Sequence, residues 1–299
     1  MKAKLLFFLV CLCTLCAMGQ EPLCRKCRKA VSKCVCNKKQ PAPKPKSKAK
    51  QTAKPQPRKQ TASYSNHVLR VGNVVYNMKR VEGGTFTMGA TAEMSEPFDD
   101  EKPTHQVTLS SYSIGETEVT QALWQAVMGS NPSSFKGDNL PVERVSWDDC
   151  QIFINKLNNL TGQRFRLPTE AEWEFAARGG KKSNHTQYSG SDNIDEVAWY
   201  RNGSQQSDVH PVALKKANEL RLYDMSGNVL EWCQDDYVEY SRKAQTNPEG
   251  KSSGLKKVIR GGSYGSIANA CRTSNRYWKE AVNKNLGYFY GFRLALSDK

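Results

Sequence analysis

The charge on this chain is segregated, and that limits what part of it can fold. Residues 20–67 carry 14 Lys and Arg against one acid, whereas residues 68–299 carry 28 of each sign. A Pro-rich run of like charge has too little apolar surface to offset the entropy of ordering it. The fold therefore belongs to the neutral remainder, about 230 residues, which is long enough for one sizeable core. The isoelectric point of 9.3 describes a tail and not a basic groove, so nucleic acid is not an expected partner.

The start has the pattern of an export signal. Lys2 and Lys4 precede the apolar run "LLFFLVCLCTLCA", and small residues suit a cut after Gly19. The expected organisation is a signal peptide over 1–19, a Cys-rich basic segment over 20–36, a disordered Pro/Lys-rich linker over 37–66, and one domain over 67–299. That places the mature protein in the secreted or periplasmic (cell-envelope) space. Cys24, Cys27, Cys34 and Cys36 fall in a C-x2-C-x6-C-x-C pattern. It admits a zinc site, two local disulfides or free thiols, and the spacing alone does not choose. The linker alternates Pro and Lys, so it is an extended spacer whose charge suits an anionic envelope surface or plain solvation.

In the neutral body, "NVVYNMKRVEGGTFTMGA" alternates apolar and polar residues around Gly-Gly, which predicts a hairpin. "HQVTLSSYSIGETEVT" predicts a further strand pair. Three helices follow. Thr120 can cap "QALWQAVM", with Gly129 as its stop. Ser146 and Asp149 form a capping box before a helix with Cys150, Phe153, Ile154, Leu157 and Leu160 inward. Thr169 and Glu172 repeat that box before Trp173, and Gly179-Gly180 ends the helix. Strands and helices are segregated and do not alternate, so the expected class is a loop-rich α+β domain without parallel βαβ units.

Seven motifs then occur in order: "VEGGTFTMG", "ETEVTQALWQAVMG", "LPVERVSWDDC", "RLPTEAEWEFAARGG", "LYDMSGNVLEW", "IRGGSY" and "GFRLA". Over Val74 to Leu296 they resemble the formylglycine-generating-enzyme, or sulfatase-modifying-factor, domain family. The resemblance implies a single-domain, loop-rich fold that is a complex variant of the C-type lectin fold. It also implies calcium. The positions matching one family site are Asp224, the carbonyls of Gly227 and Val229, and Glu231. Oxygen donors of this kind suit calcium, and a turn held by the Asp224 side chain is the alternative.

Catalytic members of the family are copper-dependent oxidases that convert a substrate cysteine to formylglycine. They use two cysteines five residues apart after "GGSY". Here those positions are Ser266 and Cys271. A hydroxyl is a hard, protonated donor and does not replace a thiolate on soft Cu(I). A tryptophan near the oxygen site falls at Leu230, while the active-site serine is kept as Ser263. The resemblance therefore implies a non-oxidase member in which Ser263, Ser266 and Cys271 are remnants. Cys271 is then either paired with Cys150 or Cys233 or simply a small buried residue. His67, His105, His185 and His210 form no ligand pair.

Many exported members of the family without the cysteine pair bind or build. One group resembles the targets of diversity-generating retroelements, which display a recognition face in the segment that corresponds to Tyr264–Tyr290. The candidate face here is Tyr264, Ser266, Ile267, Tyr277, Tyr288 and Tyr290, a Tyr/Ser composition suited to adaptable recognition. The alternative is that these rings fill the core. Three readings stand: an exported, non-catalytic binder of a protein or glycan on a basic stalk; an oxidase with altered copper ligation; and a structural part of an envelope complex.

Overall fold

A computed structural model describes residues 61–203, 208–250, 254–282 and 287–298. The expected signal, the four tail cysteines and the linker to residue 60 lie outside them.

The described residues open with four strands, β1 (Ala62–Ser65), β2 (Val68–Val71), β3 (Val74–Val81) and β4 (Gly84–Met88). After a long loop come β5 (His105–Leu109) and β6 (Tyr112–Gly115). The helices α1 (Gln121–Met128) and α2 (Trp147–Thr161) are followed by the short β7 (Phe165–Arg166), then α3 (Glu170–Ala177) and the single turn α4 (Ile194–Val197). The second half supplies β8 (Leu230–Asp236), β9 (Gln245–Thr246), β10 (Lys256–Arg260), β11 (Arg276–Glu280), β12 (Tyr290–Gly291) and β13 (Ala295–Ser297). They form sheets ordered β1-β2-β3-β6-β13-β7, β11-β10-β8-β12 and β4-β5-β9. The α+β, loop-rich expectation holds.

The predicted hairpin at Gly83-Gly84 does not form. β3 pairs with β6 through Val81 opposite Tyr112, and β4 pairs with β5 through Gly84 opposite Leu109. The two predicted pairs are thus two arms of one long hairpin, both broken at the same level. Glu82–Gly83 faces Ser110–Ser111 at the break, where the Gly83 amide donates to the Ser111 hydroxyl at 3.1 Å. Alternation identified the strands, but it carries no information about which partner each one takes.

Helix ends follow the local signals. The Thr120 hydroxyl accepts from the Leu123 amide and Gly129 closes α1 with φ 82°. Both capping boxes are present, Ser146 with Asp149 and Thr169 with Glu172. Helix α2 buries Cys150, Phe153, Ile154 and Leu157, but Leu160 is 37% exposed where the pattern put it inward. All eight residues of α3 are buried, so this helix is the centre of the fold and not an amphipathic cover.

Two large apolar clusters hold the layers together. One joins α1 and α2 to Trp232, Ile259 and Phe292. The other joins α3 to β4–β6 and Cys233. Between and beneath them run buried ion pairs from the C-terminal motifs. Arg260 reaches Glu170 at 2.7 Å and Glu174 at 2.6 Å, Arg276 reaches Glu170 at 2.6 Å, and Arg293 reaches Glu231 at 2.6 Å. Among the described residues no helix is long and apolar enough to cross a membrane.

Candidate functional site

The segment after β10 makes the site. Gly261 and Gly262 have φ of 92° and 74°, a region that glycine alone enters without strain. At Gly262 there is a second reason. A Cβ there would lie 2.6 Å from the Cys271 sulfur and 2.9 Å from the Ala270 carbonyl oxygen. The glycine backbone therefore lies directly against the thiol.

The next four residues close a tight turn. The Ser266 amide donates to the Ser263 carbonyl at 2.9 Å. The Ser266 hydroxyl oxygen accepts from the Ser263 amide at 3.0 Å and lies 3.1 Å from the Ser263 hydroxyl. Position 266 is thus a local hydrogen-bonding residue, the ordinary use of serine in turns.

Cys271 is fully buried beside Tyr188, Val197 and Ala198. Burial pushes its thiol up to about 12, so it is protonated at neutral pH and inert. Cys150, Cys233 and Cys271 are all free, and each sits in a different apolar cluster. The alternative of a small buried residue is what the structure gives for Cys271.

A cavity of about 240 Å³ opens over this turn. Leu230, Ser263, Ser266, Asn275, Tyr277 and Phe289 line it, and Cys271 does not. No Lys, Arg, His, Asp or Glu is among its described lining residues. Its polar groups are hydroxyls and one amide, and its walls are aromatic and aliphatic.

The candidate face divides. Tyr264 and Tyr290 are buried, at 3% and 8% exposure, and serve the core. Tyr264 packs on Phe289 with ring centroids 5.0 Å apart, and its hydroxyl donates to the Tyr288 carbonyl at 3.2 Å. Ile267, Tyr277 and Tyr288 are about half exposed, at 47%, 51% and 48%. Three residues of the predicted face are thus open to a partner, Ser266 and the largely buried Tyr290 lie at the cavity, and Tyr264 is internal.

The copper question turns on donor chemistry. Position 266 offers a hydroxyl engaged in its own turn, and position 271 offers a protonated thiol beneath Gly262. Neither presents the thiolate that Cu(I) prefers, so these residues do not fit a copper centre.

The residues implied for calcium sit in a left-handed turn, with φ of 57° at Asp224, 85° at Gly227 and 57° at Asn228. Trp199 crosses so closely that a side chain at Gly227 would collide with its carbonyl. Asp224 Oδ2 accepts from the Ala213 amide at 2.8 Å, which is the turn-holding role, while Oδ1 is buried without a partner. Burial raises the Asp224 carboxyl to about 6. Glu231 is engaged differently: Oε1 accepts from Arg293 Nη2 at 2.6 Å, and Oε2 accepts from Arg293 Nε at 2.6 Å and Trp173 Nε1 at 2.8 Å. The four-position pattern therefore fits calcium only in part. Asp224 has an oxygen to give, and Glu231 is committed to a guanidinium.

Two features of this region escaped the sequence. Asn228 clamps His210 through both backbone groups, at 3.1 and 3.2 Å, and His210 stacks on Trp199 at 3.6 Å. Glu118, between β6 and α1, is fully buried, and neither of its carboxylate oxygens has a partner. The only signal in "ETEVT" is its place within a motif.

Comparison with known proteins agrees with this architecture. The profile of the family described as "Sulfatase-modifying factor enzyme 1-like domain" matches residues 70–298. A protein of Paenibacillus barcinonensis named chaperone protein LppX is 39% identical, over 51% of this chain and 69% of its own. A formylglycine-generating enzyme of Streptomyces coelicolor is 29% identical over 69% of this chain and 83% of its own. A serine/threonine-protein kinase pkn1 of Chlamydia caviae is 30% identical, but the match spans only 38% of its length. Among solved structures, Treponema denticola variable protein 1 superposes with a TM-score of 0.67 at 33% identity, covering 77% of this chain and 98% of that one.

Proposed function

The chain belongs to the sulfatase-modifying factor enzyme 1-like domain family, and within it we propose a non-oxidase member, an exported protein that binds a neutral ligand in the cavity over the 263–266 turn. One observation carries this reading. The hydroxyl of Ser266 is tied into its own turn, while the nearby Cys271 sulfur is sealed beneath Gly262. A soft metal that must activate dioxygen has no pair of thiolates there.

What remains is suited to recognition. Hydroxyls at Ser263, Ser266 and Tyr277 and the amide of Asn275 can fix orientation, and Phe289 and Leu230 supply apolar contact. Binding sites are commonly built this way, from apolar walls and a few placed polar groups. The absence of charge from the described lining favours an uncharged ligand. A segment of a protein partner carrying an apolar or hydroxylated side chain fits best, and this is the class that the word chaperone in the name of the Paenibacillus relative would also require. A glycan is the competing ligand, and Tyr277 and Tyr288 would be its stacking surfaces. Export through residues 1–19, with the basic linker as a stalk reaching toward an anionic envelope surface, belongs to the same proposal.

The test is enzymatic. Purified full-length protein, supplied with Cu(I) and dioxygen, is incubated with a peptide containing Cys-x-Pro-x-Arg and followed by mass spectrometry. No aldehyde is expected. Aldehyde formation at a rate above that of free copper overturns the proposal.

A further inference from the structure

Strand β11 (Arg276–Glu280) is the last strand of the sheet β11-β10-β8-β12. Its inner side is fully paired, with Lys256 to Arg260 of β10 facing Glu280 to Arg276 in unbroken antiparallel register. Just beyond the strand, the Ala281 amide donates to the Leu255 carbonyl at 2.8 Å. Antiparallel partners alternate between bonded and non-bonded pairs. Ala281, Lys279 and Tyr277 therefore bond inward, and Arg276, Trp278 and Glu280 turn their amides and carbonyls outward. No described strand meets them there.

An open edge is a template for another chain, and native proteins guard it with proline, bulges or inward-pointing charge. β11 has no proline, and its register against β10 has no bulge. Arg276 commits its charge to Glu170 at 2.6 and 2.9 Å, and Tyr277 is half exposed. The strand reads "RYWKE". Laid antiparallel on itself about Trp278, it places Trp278 opposite Trp278, Tyr277 opposite Lys279 and Arg276 opposite Glu280. The outward backbone groups then fall opposite one another, so each amide meets a carbonyl without a bulge. Each Tyr277 ring meets a lysine, a cation–π contact, and no two like charges are directly opposed. On the other face Lys256 already covers the Trp278 ring, with Nζ 3.9 Å from its centroid.

We propose that β11 is the contact edge of a homodimer, in which two copies pair this strand antiparallel about a two-fold axis at Trp278. A second copy is the occupant because the match of backbone bonds, ring and charge is one that this strand makes with itself. The interface is isologous, as a two-fold axis requires, and it joins two four-stranded sheets into one. Tyr277 also lines the cavity over the 263–266 turn. The pairing therefore sets two such cavities on one face of the joined sheet, where a bivalent partner gains from both. It does not depend on what either cavity binds.

The experiment is sedimentation velocity of full-length protein in reducing buffer, from about 1 to about 300 μM, where small interfaces associate. The wild type should pass from monomer to dimer across that range. Glu280→Pro removes an outward amide that β10 does not use, and proline is tolerated at such an edge position. It should raise the dimer Kd by more than about tenfold and leave Tm nearly unchanged. Tyr277→Lys, at an exposed position, sets lysine opposite lysine and should also weaken association. Should Glu280→Pro fail to fold, Tyr277→Lys decides alone. Register is read by disulfide trapping, with Cys24, Cys27, Cys34 and Cys36 replaced by serine. Tyr277→Cys mixed with Lys279→Cys should give a mixed disulfide, and neither should cross-link readily with itself. A wild type that stays monomeric throughout, a dimer that either folded variant leaves intact, or mixed trapping no stronger than self-trapping overturns the proposal.

Discussion

Cys271 and Arg272 are neighbours in the chain, and they show two different uses of buried positions in one short segment. Arg272 is a fully buried cation whose Nη1 and Nη2 reach Glu101 at 2.5 and 2.6 Å. Cys271 is a fully buried neutral thiol whose sulfur touches glycine backbone. The first holds the fold, joining the C-terminal segment to the long loop before β5. The second sits at a position to which the resemblance assigns chemistry, and it is packed in an apolar cluster with Tyr188, Val197 and Ala198. On the non-oxidase reading proposed above, the frame of this fold and the reaction associated with it are separable. The frame is made of paired charges that cannot be removed singly, whereas on that reading one serine and one burial withdraw the thiolates that a copper oxidase would need.

Variants can break that contrast, and the largest effect belongs to the frame. Arg272→Met leaves the Glu101 carboxylate buried without its guanidinium. It should cost about 3–5 kcal/mol, read by denaturant unfolding, and Cys271→Ala should cost far less. Equal losses would contradict the division of labour.

The second test uses pH. Burial, followed by the charge of Glu170, raises the Asp235 carboxyl from its ordinary value of about 4 to about 7. The folded state then holds this proton more tightly than the unfolded chain does. The contribution of Asp235 is fully present below about pH 4 and is lost as pH rises through about 7. Its upper bound is about 4 kcal/mol, since one pKa unit is about 1.36 kcal/mol. Asp235→Asn should flatten that part of the stability profile relative to the wild type between pH 4 and 7. An unchanged slope would show that Asp235 titrates normally, held by its bonds from the Glu170 and Gly250 amides at 2.9 and 3.0 Å.

Smaller effects belong to the site. Gly262→Ala meets both the left-handed φ and the Cys271 sulfur, and should cost about 1–3 kcal/mol by thermal or chemical unfolding. Adding Cys271→Ala should recover part of that loss, and no recovery would mean that backbone strain alone is responsible. Ser266→Ala removes one acceptor from the turn, at about 0.5–1.5 kcal/mol. A loss beyond that range would give Ser266 a role outside its own turn.

The sequence revealed the local parts of this molecule. Ser146 with Asp149, and Thr169 with Glu172, are contacts three residues apart, so the residues that start each helix are visible in a row of letters. The long-range parts were not visible. Nothing local tells β3 to pair with β6 and not with β4, because alternation sets a face and not a partner. Glu118 has the look of any acidic residue before a helix. Its burial follows from segments more than 100 positions apart, and the commitment of Glu231 to Arg293 joins residues 62 positions apart. The candidate face was half legible for the same reason, since Tyr264 and Tyr290 cannot be told from Tyr277 and Tyr288 by composition. The motifs pointed to the 263–290 segment, and the structure divides its residues between frame and cavity.

The central claim concerns positions 266 and 271, and cuprous-ion binding there is its most direct test. Cys24, Cys27, Cys34 and Cys36 are replaced by serine so that the tail does not contribute sulfur, and the protein competes anaerobically with a calibrated Cu(I) chelator. The account predicts no tight equivalent of Cu(I), with Cys271 remaining unreactive to thiol reagents until the protein unfolds. One tightly held Cu(I) per chain, lost on Cys271→Ser, would contradict it.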